Sequence, residues 1–354
     1  MTGQYFALIK KYVPAGSLES SVGLDIGTRS CKAVELIRTK KNFKILNWAI
    51  EPVQNADTAS CIKKILEKIG KDPKEVYTAV SGQGTLIRFI KMPRMPIAQL
   101  KDSLRLEADK YFPFPISDIF MDCQILNDNK VKDNKMVIMV AVAKKDLVKD
   151  RLALLSLLNL QQNFVGLNAV AMANAVLELQ KGAKEDQVPG KEKEAFALVD
   201  MGETKTTVVI FRDDAPRFTR EIGIGGKELT QKVMGLLGCS LTQAEELKVR
   251  PGGRGEEIFS ACQPVLSNLA SEIRLSLDYF SSEDGSPVSK IFLSGSVAGF
   301  LRIRDFFAKE LEIDTQVWKP APGIELAERV SPESFFANIN QLLTALGLAV
   351  TNND

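Results

Sequence analysis

Two short segments carry an aspartate and a glycine at the same point of a strand–turn–strand pattern. They are Leu24-Asp25-Ile26-Gly27-Thr28 and Val199-Asp200-Met201-Gly202-Glu203. Glycine lets the backbone approach a ligand closely, and the amides that follow it can point at phosphate oxygens as an anion-binding nest. The aspartate adds a carboxylate oxygen beside them, able to hold Mg²⁺ directly or through water. Thr28, Ser30, Thr204 and Thr206 supply hydroxyls and Lys32 a cation, while Arg29 and Glu203 occupy the same two turns. One Asp-x-Gly is an ordinary turn. Two in register predict a pair of phosphate-gripping hairpins, with Asp25 and Asp200 as the metal-directed groups.

Three further segments fit the same chemistry. Ile222-Gly223-Ile224-Gly225-Gly226-Lys227 lies between a strand pattern and a helix pattern, where a Gly225-Gly226 pair at a helix start permits close packing on a ligand. In Ala244-Glu245-Glu246-Leu247-Lys248, Glu245 and Lys248 share a helix face, either as a surface ion pair or as a grip on a ribose. Ile291-Phe292-Leu293-Ser294-Gly295-Ser296 runs from a strand into a small-residue loop at Gly295 and Ser296, open enough for an adenine ring or an α-phosphate.

Composition removes other chemistries. The chain has no histidine, which excludes Ser-His-Asp and Cys-His triads and imidazole metal sites. The five cysteines are scattered without a C-x-x-C pair and read as reduced thiols. Near balance between 46 basic and 44 acidic side chains gives no bias toward nucleic acid. No apolar run reaches the ~18 residues of a membrane span, and no signal peptide is legible, so a cytoplasmic protein is expected.

These groups need elements to position them. Strand patterns at 22–26, 31–37 and 43–50 form a meander, followed by a helix over 59–69 and strands at 76–80 and 86–92. A small inserted module is expected over 93–150. It opens with a helix over 98–111 that Tyr111-Phe112-Pro113-Phe114-Pro115 stops. Strands at 119–126 and 136–143 and a helix over 147–158 complete its pattern. The polar stretch 181–194 reads as a linker. The meander theme then restarts at Ala197, so the chain is expected to be two pseudo-equivalent α/β halves.

In this order the motifs resemble the superfamily of actin, sugar kinases and heat-shock chaperone ATPases. Within it the chain resembles the PilM family of actin-like type IV pilus assembly proteins, themselves similar to FtsA. Four stretches carry the likeness: Val22 to Gly27, Glu107-Ala108-Asp109-Lys110-Tyr111 with Pro113 and Pro115, Arg220 to Gly226, and Ala244 to Lys248. The resemblance implies an α/β fold of two actin/RNase H-like domains around a nucleotide cleft, with an FtsA-like extra subdomain. It also implies bound ATP and Mg²⁺, and docking of the cytoplasmic N-terminal tail of an inner-membrane pilus protein, PilN, near that subdomain. Tyr111, Phe112 and Phe114 are the expected docking residues, and self-association is the other expected contact. Membrane contact would then come only through the partner.

The expected division is a lead-in over 1–20 and a first domain over 21–92 and 151–180, joined by a C-terminal helix at 336–350. The insert occupies 93–150 and the linker 181–194. A second domain over 195–335 includes a helical subdomain at about 227–280. Two departures from the family pattern stand out. Ser296 follows Gly295 where consecutive glycines are usual. Val170, with Asn168 the nearest polar residue, stands where hydrolysing relatives orient water. Slow turnover is expected. Other readings are a small-molecule kinase, which needs a carboxylate base, an FtsA-like filament protein and a type II secretion scaffold.

Overall fold

The structure is a computed structural model that describes residues 20–39, 42–70, 75–126, 134–179, 194–322 and 324–351. The expected lead-in therefore lies outside the described residues except Ser20, and the expected linker except Glu194. The chain divides into two units. One takes Met1–Glu185, Pro320–Phe335 and Leu342–Asp354, the other Asp186–Lys319 and Phe336–Gln341.

Apolar-rich runs make the first meander: β1 (Ser21–Ile26), β2 (Ser30–Arg38) and β3 (Phe43–Pro52), antiparallel with Leu24 opposite Ala33 and Asp25 opposite Lys32. Helix α1 (Thr58–Ile69) starts where Asp57 accepts from the Ser60 amide and ends at Gly70 with φ 70°. Its face of Cys61, Ile62, Ile65 and Ile69 is buried with Val22, Leu24 and Ala33. Strand β4 (Glu75–Val80) then runs parallel to β1.

A three-stranded antiparallel sheet follows, from β5 (Thr85–Pro93) with helices α2 (Ile97–Leu106) and α3 (Ala108–Tyr111), then β6 (Ile119–Leu126) and β7 (Lys135–Lys144), in the order β5-β7-β6. Two expectations are corrected here. The insert does not open at Pro93, because β5 pairs with β7 from Thr85 opposite Ala143 to Pro93 opposite Lys135. The helix expected over 98–111 is broken at Glu107. Leu100, Leu104, Ala108 and Phe112 are all buried in one core. At 3.6 residues per turn, three four-residue steps in an unbroken helix would carry Phe112 about 120° round the axis from Leu100. The break resets the phase.

Helix α4 (Lys145–Leu157) leaves the insert. Its Val148 packs with Val165 and Leu167, and its Leu155 with Val22 and Ile62. Strand β8 (Gln161–Leu167), parallel to β4, and helix α5 (Asn168–Leu179) follow.

The second unit repeats the first sheet's plan. Strands β9 (Ala195–Met201), β10 (Thr206–Arg212) and β11 (Ala215–Ile222) form an antiparallel meander. Helices α6 (Gly226–Leu237), α7 (Leu241–Val249) and α8 (Gly255–Asp284) cover it. Strand β12 (Val288–Ser294), helix α9 (Ile303–Leu311) and strand β13 (Asp314–Val317) complete it. The sheet order is β11-β10-β9-β12-β13. With β14 (Glu325–Leu326) added beside β3, the first sheet reads β14-β3-β2-β1-β4-β8, the same meander followed by two parallel strands.

The helix expected over 336–350 is two helices, α10 (Pro332–Asn338) and α11 (Leu343–Val350), separated by a short 3₁₀ turn. The break lets Phe336–Gln341 join the second unit while α11 packs in the first. There every residue of α11 is buried. A Cβ on Gly23 of β1 would come within 2.0 Å of the Ala345 carbonyl, and one on Gly347 within 1.8 Å of Ala171 O. These glycines let α11 lie against strand and helix at backbone distance. All five cysteines are free, with only Cys239 less than fully buried.

Candidate functional site

In the first unit, antiparallel register sets Asp25 across from Lys32, and their side chains meet at 3.4 Å from Nζ to Oδ2. Lys32 also donates to the Ser30 carbonyl at 3.3 Å. Asp25 is 8% exposed, at the end of a buried strand, while Thr28 stands exposed in the turn. A Cβ on Gly27 would lie 2.8 Å from the Ser30 carbonyl, so the turn closes tightly only with glycine. A residue unforeseen in the sequence reaches the same place. Arg151 of α4 donates from Nη1 to Thr78 Oγ1 at 3.3 Å and from Nη2 to the Ile26 carbonyl at 3.5 Å. Burial pushes its guanidinium pKa down, and the charge of Asp25 opposes that shift.

The second unit's hairpin is fastened to the helix behind it. The Gly202 amide donates to the Lys205 carbonyl, the Gly226 amide to Gly202 O at 2.8 Å, and the Lys227 amide to Glu203 O at 2.8 Å. A Cβ on Gly225 would fall 2.6 Å from Glu203 O and 2.7 Å from Gly202 O. The Gly225-Gly226 pair therefore packs directly on the Asp200–Lys205 turn and opens α6 there. Ser294 of the neighbouring strand donates to Asp200 Oδ1 at 2.7 Å and fixes that carboxylate's orientation. Gly295, at φ 87°, passes so near Met201 that a Cβ would be 2.3 Å from its carbonyl.

Glu245 and Lys248 meet at 2.9 Å, and Lys248 is only 8% exposed. This is no solvated surface pair. Lys248 Nζ donates to the Gly226 carbonyl at 3.2 Å, and the Thr230 hydroxyl donates to Glu245, so both residues brace the start of α6. Thr206, expected as a phosphate-facing hydroxyl, is fully buried and donates to Ile224 O at 2.8 Å. Its role is corrected to anchoring the glycine segment. Thr204 and Ser296 are exposed. Asn340, also unforeseen, bonds both backbone groups of Gly295. Each of these unforeseen partners lies far along the chain from what it holds.

Among the expected docking residues, Phe112 is 4% exposed inside the insert's own core. It cannot meet a partner, which corrects that expectation. Tyr111 and Phe114 are partly buried at the edge of this core; the Tyr111 hydroxyl bonds Glu107, and Lys144 sits 4.9 Å above the Phe114 ring. Val170 is buried in α5 among apolar side chains. Among the described residues no cluster of three or more His, Cys, Asp or Glu side chains could hold a metal unaided. Mg²⁺ bound here would draw most ligands from phosphate and water, as this ion prefers. The glycine turns fit a polyphosphate, since each packs main chain closely beside an oriented carboxylate.

Two meander-plus-parallel sheets, one interrupted by a small three-stranded insert, define an actin-like α/β protein. Two solved structures share the fold. The PilM-PilN type IV pilus biogenesis complex matches with a TM-score of 0.81 at 24% identity, covering 96% of this chain and 100% of that one. The ethanolamine utilization protein EutJ from Carboxydothermus hydrogenoformans matches with a TM-score of 0.55 at 15% identity, covering 97% and 93%. The chain belongs to the type IV pilus assembly protein PilM family, which it matches over residues 23–353.

Proposed function

We propose that this chain is an ATP-binding scaffold of type IV pilus assembly that docks the N-terminal cytoplasmic tail of a PilN-like inner-membrane protein. Family membership supports the pilus context, and the similar solved complex pairs a PilM protein with PilN. The observation that carries the nucleotide reading is the second hairpin, where Gly225-Gly226 is bonded onto the Asp200-x-Gly202 turn beside the Ser294-oriented carboxylate. Gly202, Glu203, Thr204, Gly225, Gly226, Gly295 and Ser296 contribute there, with Glu245 and Lys248 behind them. Gly27, Thr28, Arg29, Ser30 and Lys32 contribute from the first hairpin. Asp25 and Asp200 serve Mg²⁺ when it is bound.

Val170, buried among apolar side chains near the start of α5, supplies no group to orient water, which supports slow turnover with ATP retained. The protein works on the cytoplasmic side and reaches the inner membrane through its partner. Phe114 and Tyr111, at the border of the insert, are the side chains offered to the tail, whose backbone can add to an edge strand of the small sheet. Calorimetric titration of purified protein with ATP and Mg²⁺, followed by a synthetic copy of the tail, tests both halves. Saturable binding of each supports the reading. No ATP binding at millimolar concentration defeats the nucleotide half, and no peptide binding defeats the docking half.

A further inference from the structure

The first hairpin holds more positive charge than a metal site wants. Asp25 is a single carboxylate, and Lys32 Nζ already stands 3.4 Å from it. Arg151 brings a second cation to the same strand end, fixed by Thr78 Oγ1 and the Ile26 carbonyl. Thr78 is itself fully buried and donates to Leu24 O at 2.9 Å, so guanidinium, threonine and β1 form one connected set. Arg151 is held from the far side of the chain, on a helix whose Val148 and Leu155 are buried in the first unit. Its charge is always present at physiological pH. A carboxylate paired with Lys32, with Arg151 held at the same strand end, attracts a bare Mg²⁺ weakly, whereas the local excess of positive charge favours phosphate.

We propose that Arg151 is a positioning residue that makes the Asp25 hairpin a phosphate-first site, so that Mg²⁺ enters with the nucleotide rather than before it. The proposal rests on the nucleotide reading above and adds a direction to it. Asp25 and Arg151 act with opposite signs on the magnesium dependence of binding. Loss of Asp25 removes a metal-directed oxygen and weakens binding chiefly in Mg²⁺. Loss of Arg151 removes a cation held beside the hairpin and weakens binding chiefly in EDTA, because bound Mg²⁺ already offsets part of the nucleotide's charge.

The experiment is ATP titration of wild type, Arg151→Met and Arg151→Lys, each in Mg²⁺ and in EDTA, with thermal unfolding of each. Arg151→Met is expected to weaken binding about tenfold or more in EDTA and clearly less in Mg²⁺. Arg151→Lys, which keeps the charge, is expected to recover most of that loss. A purely structural role would lower the unfolding temperature and leave the ratio of the two affinities where it was. Equal ratios in wild type and both variants overturn the proposal. If Arg151→Met does not fold, Arg151→Gln, which also removes the charge, takes its place: a ratio shifted as stated for Met supports the proposal, and a wild-type ratio overturns it. Wild type that binds no ATP in either condition defeats the nucleotide reading itself, a separate and visible failure.

Discussion

Gly295 and Asn340 hold each other by two hydrogen bonds: the Gly295 amide donates to the Asn340 carbonyl at 2.8 Å, and Asn340 Nδ2 donates to the Gly295 carbonyl at 3.1 Å. Gly295 sits at φ 87°, where a side chain would be strained and would strike Met201. The small-residue loop thus keeps its unusual path because Asn340 fixes both of its polar groups.

Replacing Asn340 with alanine leaves the buried Gly295 carbonyl without its side-chain donor. A stability loss of ~1–3 kcal/mol is expected in chemical denaturation, together with weaker ATP binding. Wild-type stability in this variant would show that the loop needs no such clamp.

Gly347 tests the packing of the last helix. An alanine there would place its Cβ 1.8 Å from Ala171 O, against backbone that has little room to yield. Overpacking of this kind costs about 1–3 kcal/mol, occasionally more. Gly347→Ala should lower the unfolding temperature by several degrees, roughly as that cost implies. An unchanged melting temperature would mean that α11 does not sit on α5 as described.

The meander strands and the Asp-x-Gly turns were legible because their signals are local: alternation, glycine, and turn residues within a few positions. What escaped was held by distant partners. Arg151 is 125 residues from Ile26, and Asn340 is 45 from Gly295. Neither has a neighbouring motif to announce it. Thr206 and Phe112 were misassigned for a related reason, since a hydroxyl or ring beside a suggestive motif does not say which way it points. The insert's opening at Thr85 was hidden because strand pairing, rather than the proline at 93, sets the border.

Phe112 and Phe114 should therefore separate on mutation. Phe112→Ala empties a core site and is expected to cost ~3–5 kcal/mol. Phe114→Ala should fold, bind ATP as wild type does, and lose affinity for the tail peptide. Equal peptide affinity in wild type and Phe114→Ala would clear Phe114 of a docking role.

Turnover should be slower than the usual enzyme range of ~1–10³ s⁻¹, because buried Val170 offers nothing to orient water. A phosphate-release assay that gave several turnovers per second, abolished by Asp25→Ala, would show that a water-orienting residue lies elsewhere.

The central claim is that both Asp-x-Gly hairpins serve Mg²⁺–ATP. Its most direct measurement is ATP affinity in Mg²⁺ and in EDTA for wild type, Asp25→Ala and Asp200→Ala. The account predicts that each alanine weakens binding about tenfold or more in Mg²⁺ and much less in EDTA. Magnesium-dependent affinity unchanged in both variants would contradict it.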